Sequence, residues 1–115
     1  MEQLKIYQRH YDLILYATPV INRFPKSQRF VLGQQIQNCM VDIAKLIVEA
    51  NKTRNRLPKL YQIDVELEKL RMLIRLAKDL RFLSVKQYGL IAEGTSEVGR
   101  MLGGWIKQTQ TPGSR

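Results

Sequence analysis

The sequence predicts an all-α protein, an up-down-up-down antiparallel four-helix bundle. Three observations carry this reading. Apolar residues recur at spacings of three and four through four long segments. No segment is read as a strand. The connections are short and polar or proline-bearing, which places sequential helices side by side and antiparallel.

The first helix is expected from about Gln3 to Asn22, with Leu4, Tyr7, Tyr11, Ile14, Thr18 and Ile21 as its seam. Pro19 removes a backbone donor and crowds the preceding turn, so a kink or early end is expected there. The second helix starts near Lys26 or Ser27, with Ser27 available as an N-cap, and buries Gly33, Ile36, Met40, Ile43, Ile47 and Ala50. Its end, Asn51 to Arg56, is polar and basic, and Leu57-Pro58 restarts the chain, since proline is tolerated in a first helical turn. The third helix has the clearest pattern: Leu60, Ile63, Leu67, Leu70, Ile74 and Ala77, widened by Leu73 and Leu80. Read without a break, this helix continues to Lys86. The fourth runs from Ser84 or Val85 to about Thr109, with Tyr88, Ile91, Thr95, Val98, Leu102 and Trp105 in register, and Gly94-Thr95-Ser96 is the place where it would loosen or break. One bundle domain is expected over 1–110, and Thr111 to Arg115 as a disordered tail.

Chemistry is hard to find. His10 is the single histidine and Cys39 the single cysteine, so neither a disulfide nor a cysteine-based zinc site is available. His10 is read as structural, and Cys39 as a small apolar core residue. The Glu-x-x-His pairs of carboxylate-bridged metal bundles are missing, and Gly103-Gly104 lacks P-loop spacing. The expectation is a protein with no catalytic residues, no metal and no cofactor. The longest unbroken apolar runs, such as Leu13 to Ala17, are far shorter than the about 20 residues a bilayer-spanning helix needs, and the N-terminus mixes charge among its apolar residues. A soluble cytoplasmic protein with no membrane partner is expected.

Charge is the remaining signal. The net charge is +9, with six Lys/Arg against four Asp/Glu in residues 1–50 and thirteen against six in residues 51–115. Such a surplus repels itself unless an anionic partner is present, and phosphate contacts by Lys and Arg release condensed counterions. Arg71, Arg75 and Lys78 share one helix face, followed by Arg81 and Lys86, while Lys52, Arg54, Arg56 and Lys59 crowd the link before that helix. Arg100 adds a further cation on the fourth helix. Arg54, Arg56, Lys59, Arg71, Arg75, Lys78, Arg81, Lys86 and Arg100 are the candidate residues for binding nucleic acid or a protein that handles it. Tyr61 and Phe82 are the aromatics near these cations, and recognition by shape and charge is expected rather than base reading. On the fourth helix Ala92, Ser96, Gly99 and Gly103 share a face, which points to close approach of another backbone, either within the bundle or between subunits.

Four segments, in order, carry a resemblance: Phe24 to Gly33 opening the second helix, Ile47 to Asn51 closing it, Leu73 to Ser84 ending the third, and Gly99 to Lys107 ending the fourth. Together they resemble the accessory variability determinant (Avd) proteins of diversity-generating retroelements, from about Tyr11 to Lys107. The resemblance implies a four-helix bundle that assembles into a barrel-shaped homopentamer, binds RNA and DNA, and associates with the reverse transcriptase of the same retroelement during mutagenic copying of a template RNA. Arg75, Lys78, Arg81 and Arg100 fall on matching basic positions. The chain has no Tyr-x-Asp-Asp polymerase signature, in keeping with an accessory rather than catalytic part. The alternative is the four-helix class encoded in ribosomal-RNA intervening sequences, a structural or interaction protein with an unknown partner. That class shares the Phe-Pro-Lys start of the second helix but differs at Asp42-Ile43-Ala44-Lys45 and Glu49-Ala50-Asn51.

Overall fold

The structure, a computed structural model, describes the backbone of residues 2–110 and the side chains of 5–110. The tail at 111–115 and the side chain of Leu4, assigned above to the first seam, lie outside the described residues. The described chain is helical, with no strand: α1 (Glu2–Ile21), the single turn α2 (Lys26–Arg29), α3 (Leu32–Lys52), α4 (Leu57–Asp79) and α5 (Val85–Gln110). The four long helices form a ring in which α1 meets α3 and α5, and α4 meets α3 and α5. Paired residues climb one helix as they descend its neighbour. Thr18 and His10 meet Gln37 and Met40, and Glu49 and Cys39 meet Lys59 and Glu66. On the other side, Tyr61 and Lys78 meet Gln110 and Tyr88. This pattern is compatible with the up-down-up-down order.

The seams of α3 and α4 are those the sequence dictates. Ile36, Met40, Ile43, Ile47, Leu60, Ile63, Leu67, Leu70 and Ile74 are all buried in one core. The seam of α1 differs. Its buried residues are Ile6, His10, Leu13, Ala17 and Ile21, whereas Tyr11 is exposed and Tyr7, Ile14 and Thr18 are half-buried. This helix carries apolar residues on most of its faces, so periodicity alone does not choose among them. Pro19 does not stop α1 at once; the helix runs two residues further, to Ile21.

Three local expectations are also corrected. Ser27 caps no helix: Pro25 precedes α2, and α3 begins anew after Phe30 and Val31 with no side-chain cap. Gly94-Thr95-Ser96 does not interrupt α5, because Thr95 Oγ1 donates to the Ile91 carbonyl (2.8 Å) and keeps its hydroxyl satisfied inside the helix. Lys86 belongs to the first turn of α5, not to α4, and Leu80 lies past the α4 end, half exposed. The α4 helix closes on Arg81, whose φ is 69°. The Arg81 N–H bonds the Lys78 carbonyl (2.9 Å) and the Phe82 N–H bonds that of Ala77 (2.8 Å), a Schellman ending with arginine in the place that usually holds glycine. A capping box starts α5: Ser84 Oγ accepts from the Gln87 N–H, and Gln87 Oε1 accepts from the Ser84 N–H, both at 3.0 Å.

His10 is completely buried. Its Nε2 lies 2.7 Å from the Met40 carbonyl and so carries the hydrogen; Nδ1 has no partner. Burial pushes its pKa below the usual imidazole value, against the Met40 hydrogen bond that favours the cation; the nearby Arg9 also lowers it. The unfolded chain therefore takes up this proton at higher pH than the folded one. Its stabilising contribution is fully present above the ordinary value of about 6.5 and is lost as pH falls from there towards the lower folded value. Urea midpoints compared at about pH 7.5 and 5.5 should fall, and His10→Gln, which keeps a donor for Met40, should flatten that dependence.

Candidate nucleic-acid interface

Arg71 and Arg75 line a groove between α4 and α5, about 600 Å³ in volume, with Met72, Ile74 and Leu76 on one wall and Tyr88, Ala92 and Ser96 on the other. Lys78, one turn on, places its ammonium over the Tyr88 ring at 4.8 Å. The groove is not purely cationic. Glu68 and Asp79 also line it: Glu68 pairs with Arg71, and Asp79 lies 3.9 Å from Arg75 and 3.7 Å from Lys78. Exposed pairs of this kind are worth about 0–1 kcal/mol, so a phosphate can exchange for the carboxylate at little cost.

The candidate cations fall into separate groups. Arg71, Arg75 and Lys78 stand together on α4, and Arg81 and Lys86 extend them around the α4–α5 turn, both exposed and with no acid partner among the described residues. Arg54, Arg56 and Lys59 lie at the opposite end of α4, about 30 Å away along a helix that rises about 1.5 Å per residue. There Lys59 pairs with Glu49 (3.0 Å), and Arg56 Nε donates to the Thr53 carbonyl (3.3 Å), whereas Arg54 is exposed and has no partner among the described residues. Arg100 is exposed on α5, outside the groove lining.

The small residues of α5 also divide. Ala92 and Ser96 form the groove wall, and Gly99 lets the Arg71 guanidinium lie across α5: a Cβ there would sit 2.7 Å from Arg71 Nη2. Gly103 is exposed, with open space around it, so it packs against nothing within its own chain. The close helix contact occurs instead at Gly94, where a Cβ would meet Leu13 Cδ1 at 2.8 Å and Arg9 Nη2 at 3.1 Å. Beside it, the Arg9–Glu97 pair (2.6 Å) ties α1 to α5.

Among the described residues no cluster of His, Cys, Asp or Glu is arranged to hold a metal ion, and no helix is long and apolar enough to cross a membrane. Burial, with Glu66 beside it, pushes the Cys39 thiol up to about 12, which leaves it unreactive near neutrality.

The frame just described, from its first helix to its last, is what one family model matches: the bAvd-like model aligns with residues 4–109. The chain belongs to the bAvd-like family. No curated protein matches it.

Three features of this bAvd-like chain were not legible in its sequence. One is the pairing of Arg71 with Glu68, a turn before it on α4. Another is the left-handed backbone at Arg81. Glycine would adopt that conformation without the cost of about 1–2 kcal/mol borne by other residues. A cation is kept where glycine fits the turn better. Arg81→Gly is expected to raise the melting temperature by a few degrees, which thermal melts of the two proteins read. The third concerns aromatics. Phe82 is half-buried against Phe24 (5.7 Å between ring centres), and the Tyr61 hydroxyl accepts from Gln110 Nε2 (2.7 Å). The most exposed aromatic is Phe30, at 71%.

Proposed function

We propose that this bAvd-like chain is a non-enzymatic, basic accessory protein that binds RNA and DNA and associates with the reverse transcriptase of its retroelement in mutagenic retrohoming. The observation that carries the reading is the family membership over residues 4–109, joined to a net charge of +9 on a helical frame. The Arg71, Arg75, Lys78, Arg81 and Lys86 group supplies the phosphate contacts on one side of α4 and its turn, and the Arg54 end supplies others. Binding follows backbone charge and shape, so it is salt-sensitive and has little sequence preference. Arginine forks at Arg71 and Arg75 suit phosphate oxygens, which accept two parallel hydrogen bonds.

A homopentamer in the cytoplasm completes the proposal. Gly103, open within its own chain, gives a second copy room to approach closely. The test is co-purification. Tagged protein expressed with the reverse transcriptase and template RNA of its retroelement should retain both, at a mass that gives five copies of this chain per complex. Absence of any complex at low salt contradicts the proposal and returns the intervening-sequence class, a bundle with a different partner, to first place.

A further inference from the structure

The end of the bundle where α1 closes, α3 begins and α4 turns into α5 carries, besides Arg81 and Lys86, an exposed ring and further cations that the proposed function does not use. Phe24, from the α1–α2 corner, packs on Phe82, from the α4–α5 corner, so the two corners sit side by side. They bring Arg23, Lys26, Arg29, Arg81 and Lys86 to one end, and none of the five has an acid partner among the described residues. The acid of these corners, Asp79, is already turned to Arg75 and Lys78. Between Asp12 and Asp42 the chain has no acid at all.

Next to Arg29, at the end of α2, stands Phe30. The other two phenylalanines pack on each other, whereas this ring is left 71% in solvent. Its neighbour Arg29 is folded so that Nε is buried with no hydrogen-bond acceptor. Swinging that guanidinium outward onto an anionic oxygen would satisfy the orphaned donor. An exposed ring flanked by unpaired cations has the elements of a single-strand site: a face on which a base stacks, and charges that hold the phosphates on either side. A duplex keeps its bases stacked on each other and offers nothing to that ring.

We infer that the Phe30 corner is a stacking site for an unpaired base of single-stranded nucleic acid, with Lys26, Arg29, Arg81 and Lys86 holding the flanking phosphates. The inference rests on the nucleic-acid reading above and adds to it a preference for unpaired strands and a place where that preference resides. Substituting Phe30 changes a surface ring, so the bundle keeps its core.

The experiment is a fluorescence-anisotropy titration of the full chain with a labelled adenine-rich single strand and with a duplex of the same length, in about 50 mM salt. Wild type should favour the single strand. Phe30→Ala should weaken single-strand binding about tenfold and leave duplex binding unchanged, whereas Phe30→Trp should retain the preference. Unchanged single-strand binding by Phe30→Ala overturns the inference while leaving the proposed function standing. So does an equal loss on both ligands. Wild-type protein that binds neither ligand overturns the proposed function as well. Phe30-dependent sedimentation with phosphatidylserine vesicles, without the single-strand preference, overturns the inference in favour of a lipid surface.

Discussion

Neutralising Arg71, Arg75, Lys78 and Arg81 together as glutamines should weaken RNA and DNA binding by about 100-fold or more in moderate salt, and should lower the slope of log affinity against log salt by about 3–4. The reasoning is additive at the level of counterions. Each cation that contacts a phosphate releases roughly one condensed ion, so removing four contacts removes most of the electrostatic gain on that side of the bundle. The fold should survive. None of the four is buried, glutamine keeps much of the aliphatic stem, and the ion pairs lost are partly or fully solvent-facing and worth little. Anisotropy titrations at several salt concentrations read both quantities. If the quadruple variant bound as tightly as wild type, the α4 face would not be the one that meets nucleic acid, and the Arg54 end would take its place.

The second large effect is on stability. Leu67 is fully buried near the middle of α4, within the apolar core. Leu67→Ala should cost about 2–5 kcal/mol, the transfer term plus the residual cavity. In a chain of this size that corresponds to a fall of roughly 10–25 °C in melting temperature, measured by circular dichroism at fixed protein concentration. Leu15→Ala, at a residue 58% exposed, provides the comparison and should stay within about 0.5 kcal/mol of wild type. A similar small effect at both positions would mean that the core is not centred where the helices place it.

How far the sequence was readable depended on contrast within each helix. In α3 and α4 the apolar seam is bordered by charged residues such as Lys45, Glu49, Asp64 and Arg75, so the period is unambiguous and nearly every expected core residue is buried. In α1 the run Leu13 to Ala17 is apolar on every side, and packing against α3 and α5, not periodicity, turns His10 and Leu13 inward and Tyr11 outward. The start of α5 was legible at Ser84 or Val85, but the end of α4 was blurred because its left-handed residue is arginine, whereas glycine is the usual sign of such a turn. For the candidate interface, the i, i+4, i+7 row of Arg71, Arg75 and Lys78 was legible from helical geometry alone. Its partial neutralisation by Glu68 and Asp79, and the packing of the Phe24 corner on the Phe82 corner at one end, depend on side-chain placement and on which corners adjoin.

A central claim underlies the function: a rigid helical frame displays unpaired cations to a polyanion. It is tested most directly by titrating the wild-type chain with labelled RNA while salt is raised from about 50 to 200 mM. The account predicts measurable affinity in dilute buffer and a steep linear fall of log affinity with log salt, by roughly 0.7 per phosphate contacted on a single strand and 0.9 on a duplex. No binding in dilute buffer, or an affinity indifferent to salt, would contradict it.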